Sequence, residues 1–400
     1  MPSLDSLDTN AFYALGVPAY LLLVLVEIAW TRRKGLAAYG FADTLSNLSG
    51  GLGEVMLGLF LGPHLIGLYQ WAFDNFALVH WPDNSLPSWI VAFLAADLGY
   101  YVYHRAGHTV RLLWCVHGVH HQSDRFNMTI AMRHPWFSDV YSAPFYAALP
   151  LLGIPSTQFF IAISVISWYA LIVHTQLRWR LGLGLVAPQS HIVHHSKNPR
   201  YIGRNLGAMF TWWDRLFGTH VDLDEPPRLG LPGGVRTYDG ARAQWVFFAE
   251  LAHLFRQART LSDKLRVVFG RPGWIPPGAT PLAVTPPVDH HTPAERAHLL
   301  SQFAVMTVWS LYVLWLRDRH GPDVQVASAV SVFVGLGLFG RMLDGHARRA
   351  EAARLVLFAA LGTWRYAAGD VAGAWLVAAS VVGMVTLSLA RRQLSEMFKT

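Results

Sequence analysis

One cysteine, Cys115, in 400 residues excludes an intramolecular disulfide framework and fits a reducing compartment for the working part of the chain. It lies between histidine groups, yet a lone thiol there reads as packing. Charge is scarce as well: 14% of residues are Asp, Glu, Lys or Arg, against 53% hydrophobic residues and sixteen tryptophans. That balance excludes a set of soluble domains and indicates a membrane protein. The net charge of +7 does not make a nucleic acid the partner, because the arginines stand at the ends of apolar runs and no nucleic-acid-binding motif occurs. There is no CxxCH haem motif, no HExxH metalloprotease motif, no internal repeat and no coiled coil.

Histidine is what the chain has in excess. The stretch HRAGHTVRLLWCVHGVHH holds His104 and His108, then His117, His120 and His121, and SHIVHH later adds His191, His194 and His195. On a helix, i,i+3 and i,i+4 neighbours share a face, so each group is expected to aim its imidazoles at one point. Imidazole is a ligand for zinc, iron, copper and nickel, and eight exceed what one ion uses. Two metals are implied. His64, His80, His220, His253, His298, His320 and His346 stand alone and read as caps or hydrogen-bonded side chains, and the pair His290/His291, among prolines, reads as loop.

Nine apolar runs are expected to cross or enter the membrane: 12–30, 45–73, 86–103, 140–152, 157–173, 299–316, 324–343, 353–368 and 371–390. Asp5 and Asp8 precede the first run, which lacks a basic leader and reads as a spanning helix. The arms at 140–152 and 157–173 are short and read as tilted or re-entrant. Arg32, Arg33 and Lys34 place the end of the first run in the cytoplasm, which brings all three histidine clusters, with Arg178 and Arg180, to that side. Arg341, Arg348, Arg349, Arg354, Arg391 and Arg392 agree, Arg317 and Arg319 do not, and Lys399 is expected inside. Between them, 241–268 has helical apolar periodicity with interleaved basic residues, fitting an interfacial or a core-facing helix equally. RPGWIPPGATPLAVTPPVD reads as an extended linker. The expected fold is all-α and polytopic, with a cytoplasmic-side di-metal centre. Its parts are N-terminal membrane helices (1–85), a catalytic domain (86–222), an amphipathic and Pro-rich segment (223–298) and a C-terminal membrane extension (299–400), in which Gly335, Gly337 and Gly340 allow close helix contact.

The boxes HxxxH at His104, HxxHH at His117 and HxxHH at His191, with DLGYYVYHRAGH before and NLGAMFTWWDRLFGT after, resemble the fatty acid hydroxylase/sterol desaturase superfamily. YGFADTLSNLSGG, IVHT and the extension after GRPGWIPPG resemble its alkylglycerol monooxygenase branch. The resemblance implies an integral-membrane di-iron enzyme, in a bacterial inner membrane or the endoplasmic reticulum, that uses O2 on a membrane lipid. It carries the eight clustered histidines over as ligands, with His134 and His174 as further ligands, His174 the better placed. Oxygen insertion into an unactivated C–H bond needs a redox metal, which zinc is not. Asp97, two helical turns before His104, could fix an imidazole tautomer, with Asp124, Asn205 and Asp214 as further candidates; Asp214 could equally pair with Arg215 or cap a helix. The branch implies ether-lipid cleavage with a reduced pterin. Other members imply acyl, sterol or carotenoid hydroxylation or desaturation with a cytochrome b5- or ferredoxin-type donor. A histidine-lined metal transporter is the alternative outside enzymes, although transporters hold ligands near the midplane and not at helix ends. A membrane zinc hydrolase would be expected to carry HExxH and fewer ligands.

Overall fold

The computed structural model describes residues 9–82, 85–179, 182, 184–315, 321–345, 347–367 and 369–397. Asp5, Asp8, Arg180, Arg317, Arg319, His320, His346 and Lys399 lie outside them. Among the described residues every regular element is helical, and the only strand-like pairings are two isolated bridges, Leu185 with Phe210 and Ser196 with Leu229.

The helices are α1 (Thr9–Arg33), α2 (Phe41–Phe76), α3 (Leu86–Thr109), α4 (Arg111–His117), α5 (Ser138–Tyr146), α6 (Ala148–Leu151), α7 (Ser156–Ile172), α8 (Pro188–His194) and α9 (Trp212–Leu216). There follow α10 (Gly240–Ala243), α11 (Val246–Gln257), α12 (Leu261–Phe269), α13 (Pro293–Trp315), α14 (Pro322–Leu343), α15 (Ala347–Ala367) and α16 (Val371–Met397). Among the described residues three of them, α2, α13 and α14, are long and apolar enough to cross a membrane, and Ser156–Ile172 (α7) and the stretch Gly373–Val385 within α16 are shorter apolar helices. The run 140–152 is divided: α5 has nine residues and α6 four, with Ala147 between them, so neither crosses a bilayer.

A core of Tyr69, Ala92, Ala96, Tyr146, Ile154 and Phe159 joins α2, α3 and α7 and holds the end of α3 in place. α13 to α16 pack on the other side of α2, where Met56 joins Met306, Trp309, Val332, Leu336 and Phe358. Within lipid such contacts rest on fit and on hydrogen bonds between helices. Trp309 Nε1 donates to Ser331 Oγ at 2.9 Å and Arg354 Nη1 to Gln302 Oε1 at 2.9 Å. Of Gly335, Gly337 and Gly340, Gly340 allows the closest approach, since a Cβ there would lie 2.4 Å from Asp239 Oδ1, and the extension therefore seats on the segment leading into α10.

The segment 241–268 is not one helix. Ala258 ends α11, and Thr260 caps α12 by accepting from Asp263 N at 3.0 Å. The Pro-rich segment is extended but tied down at both ends. Arg111 N donates to Gly270 O at 2.9 Å and Arg111 Nε to Pro272 O at 3.1 Å, while Asp289 Oδ2 accepts from Ala42 N at 3.0 Å in the first turn of α2.

Two buried networks unite the N-terminal helices with the middle of the chain. Arg133 Nη1 reaches Asp43 Oδ1 at 3.2 Å and Asn47 Oδ1 at 3.0 Å, and Arg133 Nη2 reaches Thr237 O at 3.2 Å, with both charged side chains 2% exposed. Asp43→Ala leaves a buried guanidinium without its counter-charge and is expected to cost about 3–5 kcal/mol, much of it regained in the Asp43→Ala/Arg133→Met double variant. Thermal unfolding in detergent measures this, and an unchanged midpoint for the single variant would refute it. The second network centres on Glu27, buried in α1. Its carboxylate accepts from Met128 N at 2.8 Å, Gln176 N at 3.0 Å, the Tyr39 hydroxyl and the Thr175 hydroxyl.

Candidate metal centre

The chain between Leu86 and Thr219 delivers nine imidazoles to one buried region. α3 starts at Ser85, whose hydroxyl accepts from Ser88 N, and ends with His104 and His108 one turn apart. Val110 breaks the helix and α4 turns back, so that His117 meets the last turn of α3. Gly107 permits this, because a Cβ there would lie 2.5 Å from the Tyr141 hydroxyl and 3.1 Å from His117 Cβ. α4 stops at His117, and His120–Gln122 form a 3-10 turn instead of continuing the helix. α8 carries His191 and His194 and is capped by His195.

The rings divide into two groups, and the division runs through the motifs. His104, His108, His117, His121 and His194 form one; His120, His174, His191 and His195 form the other, with the ligand atoms of each group within 4.8 Å of one another. Each HxxHH box thus serves both groups, and the expectation that each box aims at one point is corrected. The i,i+4 residues His117 and His121 go to the first group and His120 to the second; His191 and His195 go to the second and His194 to the first. Residues adjacent on a helix point about 100° apart, so HH must diverge where HxxxH converges.

Inside the first group His117 Nε2 lies 3.0 Å from His121 Nε2, which lies 3.2 Å from His194 Nε2. Inside the second, His174 Nε2 is 2.8 Å from His191 Nε2, 3.1 Å from His120 Nε2 and 3.2 Å from His195 Nε2. Two ligands at right angles on metal–nitrogen bonds of about 2.1 Å are about 3.0 Å apart, while tetrahedral ligands are about 3.4 Å apart. His104 Nε2 and His108 Nε2 are buried without a hydrogen-bond partner. Such nitrogens, converging as neutral lone pairs, fit two cations.

The outer nitrogens show how the lone pairs are held inward. His104 Nδ1 donates to Leu206 O at 2.7 Å, His194 Nδ1 to Arg204 O at 3.0 Å and His174 Nδ1 to Ala170 O at 2.7 Å. A carbonyl only accepts, so each ring carries its proton on Nδ1 and presents Nε2 to the centre. Two of the three carbonyls belong to the loop 204–207, and Asp214 and Asn205 hold that loop. Asp214 accepts from Leu206 N at 2.8 Å and Gly207 N at 2.9 Å. Asn205 takes a left-handed φ of 52°, which Asn tolerates, and donates from Nδ2 to Ser190 O and Val221 O at 3.0 and 2.8 Å. Asp97 accepts from Met209 N at 3.1 Å and Trp213 Nε1 at 2.8 Å. The tautomer it was expected to fix is fixed by a carbonyl, and Asp97 steadies the loop beyond. Asp124 pairs with Arg125 at the surface.

His134 and His174 part company. His174 is in the second group, whereas His134 Nδ1 lies 2.7 Å from Glu54 Oε1, with its ring centroid 6.2 Å from that of His120. Burial disfavours the His134 cation, but Glu54 outweighs it and raises the His134 pKa. Cys115 is buried with Sγ 3.4 Å from Phe247 O, and burial pushes its thiol up to about 12, so it packs and does not ligate. Phe126, packed on His174, His191 and His195, and Trp114, stacked 5.5 Å from His121, close the groups against water. Sequence reasoning missed Glu27, whose clasp on Thr175 and Gln176 sets the backbone after His174; its signal was an acid inside the apolar run 12–30.

Burial first, and then neighbouring imidazoles, hold His117, His120, His121, His191 and His195 well below their ordinary pKa; His174 falls to about 3, and His194 to about 4 against the opposing pull of Arg204 O. In the unfolded chain these rings protonate near 6.5, so the metal-free protein keeps this stability above pH 6.5 and loses it as the pH falls toward 4. Melting the chelated protein between pH 7.5 and 4.5 should show the fall, and bound metal should displace it to lower pH. A flat profile would contradict it. Asp214→Ala should weaken metal binding at the first group by about 10–100-fold and spare the second, as read by chelator competition. Equal weakening of both groups would contradict the loop's assignment.

The fatty acid hydroxylase family model matches residues 89–219, the span that contains all nine converging histidines. Residues 89–219 are in this sense similar to fatty acid hydroxylase domains. The likeness to alkylglycerol monooxygenases extends further: that of Danio rerio is 29% identical over 84% of this chain and 78% of its own length, and that of Homo sapiens 28% over 85% and 80%. The ornithine lipid hydroxylase of Rhizobium tropici is 28% identical over 57% of this chain and 70% of its own. No solved structure matches.

Proposed function

We propose that this membrane protein is an O2-dependent lipid monooxygenase whose two histidine groups each hold one iron ion. The observation that carries the reading is the division of nine imidazoles into two adjoining groups of converging nitrogens. Five converging histidines in the first group exceed the four that tetrahedral zinc takes, so an ion with five or six positions fits it better. In this reading His104, His108, His117, His121 and His194 hold one ion, and His120, His174, His191 and His195 hold the other, whose four ligands leave positions open. When bound, the ions supply reductive activation of dioxygen. The protein's own part is to present Nε2 lone pairs through carbonyls on Nδ1, to keep the rings unprotonated and to exclude water with Phe126 and Trp114. Asp97, Asn205 and Asp214 act as positioning residues, through the 204–213 loop.

The substrate is read as a membrane lipid, and the alkylglycerol monooxygenase relatives favour an ether lipid, with hydroxylation beside the ether oxygen and a reduced pterin or a protein donor supplying electrons. A fatty acyl, sterol or carotenoid substrate is the second reading, supported by the ornithine lipid hydroxylase relative. The nine-segment topology, in which 140–152 and 157–173 enter the membrane as a hairpin and the centre lies on the cytoplasmic side, belongs to this proposal. Purified protein reconstituted with an alkylglycerol or an acyl lipid, a tetrahydropterin and 18O2 tests it: label is expected in the hydroxylated acyl lipid, or in the alcohol obtained when the aldehyde from an alkylglycerol is reduced as it forms and before its oxygen exchanges with water, and unlabelled hydroxyl oxygen in these products would refute oxygen insertion from O2.

A further inference from the structure

A groove of about 1280 Å³ opens between α10, Trp245, α14 and the start of α15. It does not belong to the histidine centre. Between them stand Trp136, whose backbone N donates to Gln244 Oε1 at 3.0 Å and whose ring packs 5.0 Å from Phe333, and the Glu54–His134 pair.

The groove lining combines three guanidinium groups with an apolar wall. Arg242, Arg341 and Arg349 come from three different elements and all are exposed. The two acids in the lining are already committed. Asp239 Oδ1 accepts from Ala241 N and Arg242 N at 3.0 Å each, and Asp344 accepts from Tyr238 N at 2.8 Å and from the Thr237 hydroxyl, with Arg242 Nη1 3.9 Å away. The arginines are thus not neutralised by strong ion pairs with these acids.

The order of chemistry along α14 gives the ligand class. Val334, Leu338 and Arg341 are i, i+4 and i+7 and so share one helix face, which passes from apolar to cationic in the last turn of a helix fit to cross a membrane. A phospholipid has the same order, alkyl chain and then phosphate. Trp245, 55% exposed, faces the same groove with an apolar ring and a polar edge, as aromatic side chains do at a membrane interface. We propose that this groove binds an anionic membrane phospholipid, its phosphate between Arg242, Arg341 and Arg349 and its chain against Val334 and Leu338. Basic pockets among membrane helices hold lipid headgroups in this way. The site joins the C-terminal extension to α10, and its occupancy is independent of which reaction the histidine centre performs.

Native mass spectrometry of the full-length protein in neutral detergent, titrated with dioleoylphosphatidylglycerol, dioleoylphosphatidylcholine or inorganic phosphate, tests the proposal. The expected result is saturable binding of phosphatidylglycerol that weakens by about 100-fold in R242Q/R341Q/R349Q, as three contacts of about fivefold each would give. The control variant R256Q/R259Q/R271Q, which removes surface arginines of the α11–α12 region, should bind as the parent does. R349Q alone, at an exposed position that cannot disturb packing, should lose about fivefold and serves if the triple variant does not fold. Equal phosphatidylglycerol binding by parent and groove variants, or an equal loss in the control, would overturn the site. Inorganic phosphate or phosphatidylcholine binding as tightly as phosphatidylglycerol would overturn the anionic-lipid assignment.

Discussion

His194→Ala should remove one metal ion per chain and lower turnover by more than about 100-fold, while the protein still inserts and stays folded. His194 comes from α8, whereas its four partners in the first group come from α3, α4 and the turn after α4, so it is the strand of contact that closes the group across the domain. Its Nε2 lies 3.2 Å from His121 Nε2, and its Nδ1 is oriented by Arg204 O. Outer-sphere changes alone cost 10–100-fold at metal sites, and loss of a direct ligand should exceed that. His191→Ala should remove the other ion and leave the first in place. Metal content and lipid turnover, measured on both variants beside the parent, check this together. Parent-like metal content in His194→Ala, or loss of the same ion in both variants, would show that the two groups are not two sites.

Glu27→Ala is expected to be the most destabilising single change outside the histidines. Four donors converge on that carboxylate, two of them backbone N–H groups at Met128, which is buried, and Gln176, which is half-buried, and alanine leaves them without an acceptor. At about 1–3 kcal/mol for each stranded donor, the two backbone groups alone give about 2–6 kcal/mol. The effect should also reach the second group, because Thr175 and Gln176 follow His174 directly, so metal should leave that group first when the variant is titrated with chelator. Glu27→Gln keeps an acceptor oxygen and should fall between alanine and parent. A Glu27→Ala protein with the parent's melting point and chelator profile would refute the role.

Much of the centre was legible because it is local. HxxxH on a helix puts two imidazoles on one face whatever the rest of the chain does, and His104 and His108 sit that way. The division of each HxxHH box between two groups depends on where α4 ends and how α8 meets it, which are tertiary facts, although the divergence of adjacent residues on a helix already hinted at it. The seven-residue spacing from Asp97 to His104 is local, but what Asp97 touches, Met209 and Trp213, lies more than a hundred residues away. Glu27 and the Arg133–Asp43 pair link residues about 90 to 150 apart, and a charge in an apolar run shows that a partner exists without showing which. The break between α11 and α12 was written in Thr260 and Asp263, a capping pair that the apolar periodicity across them concealed.

The central claim is that one chain holds two iron ions in adjoining all-histidine groups. Mössbauer spectroscopy of protein produced with 57Fe, on samples whose iron and zinc per chain are measured, tests it most directly. The account predicts two irons per chain, magnetically coupled, with His194→Ala and His191→Ala each leaving a single uncoupled iron. One iron per chain, two uncoupled irons in the parent, or zinc in their place would contradict it.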